Sequence, residues 1–254
     1  MIKDFVEQFL FFPNKELKKT PSFIDINYED VNISYETNNF HGWYIEGNYK
    51  NSLTQSKCIL FFHGNAGNIS FRLSYIQKLY ELGFSLLFFD YPGFGLSTGI
   101  ANEDLCIKCG NQFYNYLIDI KKYSNKDIIL YGESIGGSIA LSVANIYNSK
   151  YLILQSTFTD IKEIIKLVTT FNIFLSNNIG FQTLENLILR YKLNKLTKKM
   201  KTLIIHSNDD ELIDSTHAVS LSKYADKLYL CNGTHSNVIM DDDFIFNLLS
   251  FIKE

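Results

Sequence analysis

Short, nearly uninterrupted apolar runs alternate with amphipathic stretches through most of the chain. Cys58–Phe62 is the first such run, and Ser85–Phe89, Ile128–Tyr131, Tyr151–Leu154 and Thr202–Ile205 repeat the pattern. A strand that is apolar at nearly every position is buried on both faces, as in a parallel sheet. Strands that alternate with helices are typical of a parallel sheet covered on both faces. The sequence therefore predicts an α/β fold.

The remaining elements complete this prediction. The amphipathic stretches predict helices, and two β-rich segments around the turn-prone residues 37–39 predict a hairpin before the first buried strand. One more strand and one more helix are expected near the C-terminus. The predicted helices are Ile69–Leu82, Glu103–Ile120, Ser134–Tyr147, Thr216–Tyr224 and Asp243–Ile252, and the further strands are Val31–Tyr35, His41–Ile45 and Lys227–Leu230.

Length and composition indicate one structural unit. An α/β fold of 254 residues is typically a single domain, and its core needs no disulfide or metal. The net charge of −3 gives no electrostatic footprint for nucleic acid. Cys106 and Cys109 form a lone C-x-x-C that lacks the second ligand pair of a zinc site, so we interpret them as small helix residues. The prediction is a single domain over residues 1–254 that binds no metal.

One region interrupts the alternation of strands and helices. Residues 161–199 lie between two predicted strands and are more numerous than a crossover helix requires. The region is apolar, with Phe171, Phe174 and Ile179 among its residues, but it follows no clear period. We interpret it as a short helical lid over the C-terminal edge of the sheet.

The N-terminal segment is apolar but short. Its run Phe9–Phe12 cannot span a bilayer, and no cleavage site of the signal-peptide kind follows it. Phe5, Phe9 and Phe12 have the spacing of one face of a short helix, which either rests on a membrane or packs on the domain. The expected localisation is the cytoplasm, with peripheral membrane contact through this segment as the alternative.

A serine flanked by glycines joins the strand Ile128–Tyr131 to a predicted helix. Gly132-Glu-Ser134-Ile-Gly136 fits the pattern G-x-S-x-G, in which a tight turn exposes the serine above the sheet. The glycines prevent clashes with the strand and the helix. Amides at the start of the helix, including the N–H of Ile135, point to where an oxyanion would form. Ser134 is the predicted nucleophile.

The same pattern occurs a second time, in Gly95-Leu-Ser97-Thr-Gly99. Pro92 and further glycines surround this copy, which favours a long loop. No predicted strand leads directly into it, and no predicted helix begins directly after it. The sequence context therefore separates the two serines, and Ser97 is not the predicted nucleophile.

A glycine-containing turn follows the first buried strand, in His63-Gly-Asn65-Ala66-Gly-Asn. Such a turn brings backbone N–H groups close to the serine and supplies the second half of an oxyanion hole. The backbone N–H of Asn65 is the predicted donor, with that of Ala66 as the alternative. His63 precedes the turn and is expected to orient the loop through hydrogen bonds.

The acid and the base are expected after the late strands. Several carboxylates compete in the loop after Thr202–Ile205, including Asp209 and Asp210, and Asp160 is a further option. Of the five histidines, only His235 follows the last predicted strand in a turn-rich loop, which makes it the predicted general base.

Two other histidines lie close in sequence to these candidates. His206 ends a predicted strand and is expected to support the acid loop. His217 begins a predicted helix and is expected to lie at the surface.

Five motifs together resemble a known family. HGNAGN, DYPGFGLSTG, GESIGG, HSNDDELI and GTHSN are similar, in this order, to motifs of α/β-hydrolases of the serine aminopeptidase-like, or hydrolase-4, type. That group includes small esterases and protein depalmitoylases, and the similarity covers nearly the whole chain. The resemblance implies an α/β-hydrolase fold, with a mostly parallel central sheet of about eight strands flanked by helices and a short lid.

The resemblance also selects the acid. The family motif H-G-x-x-D-x-x-V-P, laid on His206, puts its aspartate at Asp210 rather than Asp209. This chain departs from the motif at Ser207, where the family has glycine, and at Asp214, where it has proline. Neither change removes a catalytic atom.

Together these residues predict a serine hydrolase. Ser134, His235 and Asp210 would cleave a carboxylic ester or thioester through an acyl-enzyme, while the amides of Asn65 and Ile135 hold the oxyanion. No metal or organic cofactor is required. An apolar lid favours an apolar acyl group, so an S-acyl protein thioesterase or a lipase acting at a membrane surface is the alternative within the class. A non-catalytic ligand-binding module is the alternative from another class.

Overall fold

Strands and helices, numbered here along the chain, follow the predicted alternation. The computed structural model describes residues 10–48, 51–147, 149–162, 182–188 and 200–253. The strands are β1 (Phe12–Pro13), β2 (Glu29–Tyr35), β3 (Asn38–Ile45), β4 (Cys58–Phe62), β5 (Ala66–Gly67), β6 (Ser85–Phe89), β7 (Ile128–Glu133), β8 (Tyr151–Gln155), β9 (Lys201–Ser207), β10 (Lys227–Cys231), β11 (Gly233–Thr234) and β12 (Asn237–Val238). The α-helices are α1 (Leu73–Glu81), α2 (Glu103–Asp119), α3 (Ile135–Ile146), α4 (Thr216–Ser222) and α5 (Asp242–Lys253), and 3-10 helices span Pro21–Ile24 and Ile69–Arg72.

Eight of these strands form one central sheet, in the order β10-β9-β8-β7-β4-β6-β3-β2. The six strands from β10 to β6 are parallel to one another. The hairpin of β2 and β3 adds an antiparallel edge, because β3 pairs antiparallel with both β2 and β6. This sheet confirms the predicted fold class and the predicted N-terminal hairpin.

The sheet is covered on both faces by helices. Alternate residues of β4 show this, because Leu60 and Phe62 belong to one apolar cluster while Ile59 and Phe61 belong to the other. Helices α2, α3 and α4 pack on the first face, and α1 and α5 pack on the second. Strand side chains alternate between the faces, so a strand between two helical layers is apolar throughout.

The first turn of the helix predicted at Ile69–Leu82 differs from the expectation. Ile69–Arg72 form a 3-10 turn, and α1 begins only at Leu73. The Ser70 N–H donates to Asn68 Oδ1 at 2.9 Å, and the Ile69 N–H donates to Asp90 Oδ1 at 2.9 Å. These side chains satisfy N–H groups that a helix start leaves without partners, and they fix a tighter turn.

Most of the predicted lid lies outside the described residues. Within 161–199, residues 161–162 and 183–188 are helical. Leu187 is buried in the core cluster beside α2 and α3, and the Leu184 N–H donates to the Thr159 carbonyl at 2.9 Å. The described part of this region is therefore attached to the loop that follows β8.

The four cysteines are buried and form no disulfide. Cys106 and Cys109 lie on the core side of α2, as expected of small helix residues. Within the described ranges, no three His, Cys, Asp or Glu side chains are grouped so that they could hold a metal ion. None of the described helices combines the length and the apolar character needed to cross a membrane.

The loops that carry the predicted site residues leave one edge of the sheet. Asn65 follows β4, Ser134 follows β7, Asp210 follows β9 and His235 follows β10. These four strands run parallel within the sheet. Because carboxyl ends of parallel strands share an edge, the topology brings residues far apart in sequence into one crevice.

Candidate active site

Ser134 occupies a sharp turn between β7 and α3. Its backbone has φ 55° and ψ −122°, a combination that residues with a side chain rarely adopt. The Ser134 N–H donates to the Gln155 carbonyl at 2.9 Å, and the Gly137 N–H donates to the Ser134 carbonyl at 2.9 Å. Hydrogen bonds on both sides therefore hold the serine in this conformation and present its hydroxyl above the sheet.

Gly136 permits this turn to pack against β4. A Cβ atom at this position would lie 2.2 Å from the Phe62 carbonyl oxygen and 2.6 Å from that of His63. Backbone atoms cannot yield as the end of a flexible side chain can. The glycine is therefore required by close approach to the neighbouring strand, which brings the loop after β4 next to the serine.

His235 connects the serine to a carboxylate. It lies in the tight turn between β11 and β12, and its Nε2 is 3.1 Å from the Ser134 Oγ. Its Nδ1 is 2.9 Å from Asp210 Oδ2 and 3.1 Å from Asp210 Oδ1. The backbone N–H of His235 donates to Glu211 Oε2 at 3.0 Å. A second carboxylate of the acid loop thus fixes the main chain of the histidine, a contact that the sequence reading did not identify.

Asp210 is buried and ionised within this line of contacts. Its side chain is 0% exposed, and Oδ1 accepts the N–H groups of Leu212 at 3.0 Å and Ile213 at 2.8 Å. Burial disfavours its charge, but the hydrogen bonds from His235 and from these amides outweigh burial and hold the pKa of Asp210 below its ordinary value. The carboxylate is therefore charged at neutral pH and orients the imidazole.

The competing carboxylates lie elsewhere. Asp209 is exposed, and its N–H donates to Ser207 Oγ at 3.1 Å. Asp160 accepts the N–H of Lys162 at 2.8 Å. Asp210 is the candidate acid that the structure places against His235 Nδ1.

Two further histidines lie near the acid loop, and the prediction for one of them is wrong. His206 is fully buried, and its Nε2 lies 2.8 Å from the Ile213 carbonyl and 3.4 Å from Asp210 Oδ2. It braces the acid loop, as predicted. His217 does not lie at the surface, so that prediction is wrong: it is buried, because α4 packs on the loop after β8 and His217 Nδ1 accepts the Thr159 N–H at 3.2 Å.

The loop after β4 is organised by His63. Its Nδ1 is 2.7 Å from the Gly64 carbonyl, and its Nε2 is 3.6 Å from Asp90 Oδ1. Burial, assisted by the charge of Arg72, lowers the pKa of His63 to about 3. The imidazole is therefore neutral at neutral pH and holds the turn before Asn65, in the orienting role that the sequence suggested.

An N-terminal segment clamps the same loop. The Phe12 N–H donates to the Asn65 carbonyl at 2.8 Å, and the Asn14 N–H donates to the Gly67 carbonyl at 2.9 Å. The Asn65 side-chain amide donates to the Leu10 carbonyl at 3.0 Å. Thus β1 and β5 form a short parallel pair that uses the carbonyl and the side chain of Asn65 but not its backbone N–H.

An ion pair links this loop to the serine turn. Arg72 Nε donates to Glu133 Oε2 at 3.0 Å, Nη2 donates to Oε1 at 3.3 Å, and Nη1 donates to the Ala66 carbonyl at 3.4 Å. Burial disfavours the charge of Arg72, but the carboxylate of Glu133 outweighs it and raises the pKa of Arg72. Glu133 directly precedes Ser134, so this bidentate pair fixes the two halves of the site relative to each other.

The second serine of the G-x-S-x-G type has a structural environment. Ser97 is 1% exposed. Its hydroxyl donates to the Asp90 carbonyl at 2.7 Å and accepts the His41 N–H at 2.9 Å. The hydroxyl thereby uses both of its hydrogen-bonding functions, one within the loop after β6 and one with β3.

Sequence comparisons show which proteins this chain resembles. The family model described as Hydrolase_4, serine aminopeptidase S33, matches residues 54–200. The chain is 34% identical over 223 residues to Uncharacterized protein R595 of Acanthamoeba polyphaga mimivirus. The aligned residues cover 78% of this chain and 74% of that protein. It is 28% identical over 207 residues to Protein bem46 of Schizosaccharomyces pombe, which covers 77% of this chain and 67% of that protein.

Solved structures show the same fold. The esterase Pf2001 of Pyrococcus furiosus superposes with a TM-score of 0.72 over 95% of this chain and 98% of the esterase, at 17% sequence identity. An α/β-hydrolase from Vibrio vulnificus superposes with a TM-score of 0.70 over 88% of this chain and 81% of the hydrolase, at 19% identity. Because the family model covers more than half of the chain and the fold is that of these hydrolases, the chain belongs to the hydrolase-4 (serine aminopeptidase, S33) family of α/β-hydrolases.

Proposed function

We propose that this hydrolase-family protein cleaves a carboxylic ester or thioester through an acyl-enzyme on Ser134. The observation that carries the proposal is the line of contacts from the Ser134 hydroxyl through both ring nitrogens of His235 to Asp210. A serine, a histidine and a buried carboxylate in this arrangement activate a hydroxyl for attack on a carbonyl.

The first half of the reaction forms the acyl-enzyme. Ser134 Oγ attacks the carbonyl carbon while its proton passes to Nε2 of His235. The charge that develops on the imidazole is stabilised by Asp210, which also keeps the Nδ1 proton in place. The tetrahedral intermediate then collapses, and the histidine gives its proton to the departing alcohol or thiol.

Two backbone amides suit the oxyanion of that intermediate. Ile135 is the first residue of α3, so its N–H has no carbonyl one turn earlier within the helix. The carbonyl and the side chain of Asn65 form hydrogen bonds with the N-terminal segment, while its N–H remains in the turn after β4. We assign these two amides to the oxyanion, since preorganised donors stabilise developing charge most strongly.

Water completes the cycle. His235 removes a proton from water as it attacks the acyl-enzyme, and the proton then returns to Ser134 Oγ when the acid product leaves. Every proton transfer uses the same imidazole. The reaction needs no redox step and consumes only water.

Hydrolysis is favoured over a purely ligand-binding role by the strain at Ser134. A binding pocket does not need a serine with positive φ, and such outliers persist where the surrounding structure enforces them for a function. Apolar acyl groups are the proposed substrates. An S-acyl protein thioesterase or a lipase at a membrane surface is the alternative within this proposal.

A fluorophosphonate probe tests the nucleophile. We expect the purified protein to be labelled, Ser134→Ala to be unlabelled, and Ser97→Ala to be labelled like the parent. The Ser97 variant is the matched control, because both serines occupy a G-x-S-x-G pattern. A folded parent protein that takes no label would contradict the acyl-enzyme proposal and favour the ligand-binding alternative.

Substrate class follows from a second assay. Short- and long-chain p-nitrophenyl esters, an acyl thioester and an aminoacyl p-nitroanilide would be compared by kcat/KM. The anilide is included because the family is described as serine aminopeptidase. We expect the esters or the thioester to be preferred, and a higher kcat/KM on the anilide would overturn the proposed substrate class.

A further inference from the structure

An exposed aromatic and basic surface lies beside the loop proposed to hold the oxyanion. We define the docking surface as Phe12, Phe23, Phe71, Lys18 and Lys19. Its three aromatic rings are 61%, 64% and 46% exposed, respectively. The Phe71 ring lies next to Gly67, whose strand pairs with that of Phe12, and the adjacent Lys18 and Lys19 contact Phe71 and Phe23. Exposed apolar side chains that lie on one segment of surface mark interaction sites more often than singly scattered ones do.

Each of two lysines covers one of these rings. Lys18 Nζ lies 5.2 Å from the centre of the Phe71 ring, and Lys19 Nζ lies 3.7 Å from that of Phe23. The lysine stem packs along apolar surface while the ammonium remains in water. Such a pair matches a bilayer interface, where a ring enters the boundary of the acyl chains and an ammonium contacts lipid phosphate.

The local charge favours an anionic partner. The run Lys15-Glu16-Leu17-Lys18-Lys19 carries three lysines and one glutamate, although the whole chain has a net charge of −3. Lysine is depleted in protein–protein interfaces, whereas lysines next to exposed aromatic residues are typical of membrane-surface segments. In sequence, Phe5 and Phe9 continue the apolar character directly before this segment.

Hydrogen bonds fix the surface to the domain. The side-chain amide of Asn68 donates to the carbonyls of Asn14 at 2.9 Å and Glu16 at 2.7 Å. The Lys18 N–H donates to Ser70 Oγ at 3.2 Å. With the contact between Phe12 and Asn65, these bonds tie the docking surface to the loop after β4. Its orientation relative to the candidate site is therefore set by the fold.

We propose that this surface docks the protein on an anionic phospholipid bilayer. The rings of Phe12, Phe23 and Phe71 insert at the boundary of the acyl chains, and Lys18 and Lys19 contact lipid phosphates. The docking itself is independent of catalysis. Only its consequence rests on the proposed function: the candidate site opens beside the bilayer, so esters or thioesters of membrane-held acyl chains reach Ser134 without crossing water.

Vesicle sedimentation tests the docking. The full chain carrying Ser134→Ala would be mixed with vesicles of phosphatidylcholine alone or with added phosphatidylserine. We expect binding that requires phosphatidylserine and weakens with salt. Lys18→Gln with Lys19→Gln should reduce the affinity about fivefold for each lysine. Phe23→Ser with Phe71→Ser should reduce it at least about tenfold, because two rings leave the interface.

Phe246→Ser is the matched control. Phe246 is 69% exposed on α5, outside the docking surface, so we expect this variant to bind vesicles like the parent. Thermal unfolding of every variant identifies any loss of folding. The lysine variant changes only exposed side chains and keeps the test decisive even where the aromatic variant unfolds.

Four outcomes would overturn the docking proposal. They are no binding to vesicles with phosphatidylserine, equal binding to neutral vesicles, binding that survives both sets of substitutions, and a dimer in solution that is broken by the aromatic substitutions without any vesicle binding. Because Ser134→Ala is used throughout, failure of the fluorophosphonate assay leaves these measurements intact. Failure of vesicle binding likewise leaves the assignment of the nucleophile intact.

Discussion

The two G-x-S-x-G segments of this chain share a pattern and differ in everything around it. Ser134 follows β7 directly, has a φ of 55°, and directs its hydroxyl to His235. Ser97 lies in the loop after β6, and its hydroxyl is saturated by Asp90 and His41. The proposed nucleophile is therefore the serine whose hydroxyl is kept out of the structural hydrogen bonds of its own turn.

Replacing each serine by alanine should separate the two most clearly. If Ser134 is the nucleophile, Ser134→Ala should lower kcat on the order of 10⁶-fold, as loss of the nucleophile does in known serine hydrolases. Ser97→Ala should keep kcat within about threefold but cost roughly 1–3 kcal/mol of unfolding free energy, because the His41 N–H is left buried without its acceptor. Ester kinetics and urea unfolding of both variants provide the measurement. Comparable activity losses in the two variants would break the comparison.

The neighbouring aspartates Asp210 and Asp209 extend the comparison on the side of Ser134. Asp210→Asn should lower kcat on the order of 10⁴-fold, because the amide no longer stabilises the correct tautomer and charge of His235. Asp209→Asn, the control, changes an exposed side chain and should leave kcat within about twofold. The pair is measured by kcat at saturating ester. A larger effect at Asp209 would transfer the role of the acid to that residue.

Replacing the final glycine of each segment by alanine should lower the unfolding free energy by different amounts. Gly136→Ala places its Cβ against the backbone of β4 and should cost about 3 kcal/mol or more, or prevent folding. Gly99 has a φ of +98°, and its nearest obstacle is the side-chain oxygen of Asn38 at 2.6 Å. Because that side chain can rotate, Gly99→Ala should cost about 1–2 kcal/mol, mainly from its backbone conformation. Urea unfolding of the two variants measures both losses, and a larger loss for Gly99→Ala than for Gly136→Ala would contradict this explanation.

Asp90, whose main-chain carbonyl accepts the Ser97 hydroxyl, adds a pH dependence to the stability of the protein. Burial raises the pKa of Asp90 from 3.8 to about 7, although the Ile69 N–H and the charge of Arg72 oppose the shift. Between these values the folded protein keeps a proton that the unfolded chain has released. Asp90 therefore makes the protein less stable as pH rises through this window, and adds no further change above it.

Asp90→Asn removes this dependence. Relative to the parent protein, its unfolding free energy should rise by roughly 1–3 kcal/mol between pH 4 and pH 7 and level off above. His63, whose pKa is lowered to about 3, contributes in the opposite direction, so only the difference between the two proteins isolates Asp90. Urea unfolding across this pH range provides the measurement. A difference that stays constant with pH would contradict the raised pKa.

The sequence was sufficient to predict the central sheet because each strand can be recognised from its own residues. The strands at Cys58–Phe62 and Ser85–Phe89 have the predicted bounds, and the others differ by only a few residues. An apolar run between two helical stretches determines a buried parallel strand locally. The side chains of Ser134, His235 and Asp210 come together as predicted, since the order of the strands fixes the order of the loops. Their catalytic roles stay predictions.

Contacts between distant segments were not predictable in the same way. No local sequence pattern indicates that Arg72 pairs with Glu133, or that Leu10 and Phe12 form hydrogen bonds with Asn65. His217 has the helical position of a surface residue and is buried because a loop from another part of the chain lies over it. Such pairings depend on packing in three dimensions, which leaves no periodic trace in sequence.

The positive φ of Ser134 has a consequence for how this chain evolves. The conformation costs roughly 1–3 kcal/mol for a residue with a side chain, whereas glycine would adopt it freely. Selection for thermal stability alone would therefore favour glycine at this position. Under the proposed function, a serine kept at this position gives up stability for reactivity, and a homologue without that activity should carry glycine there.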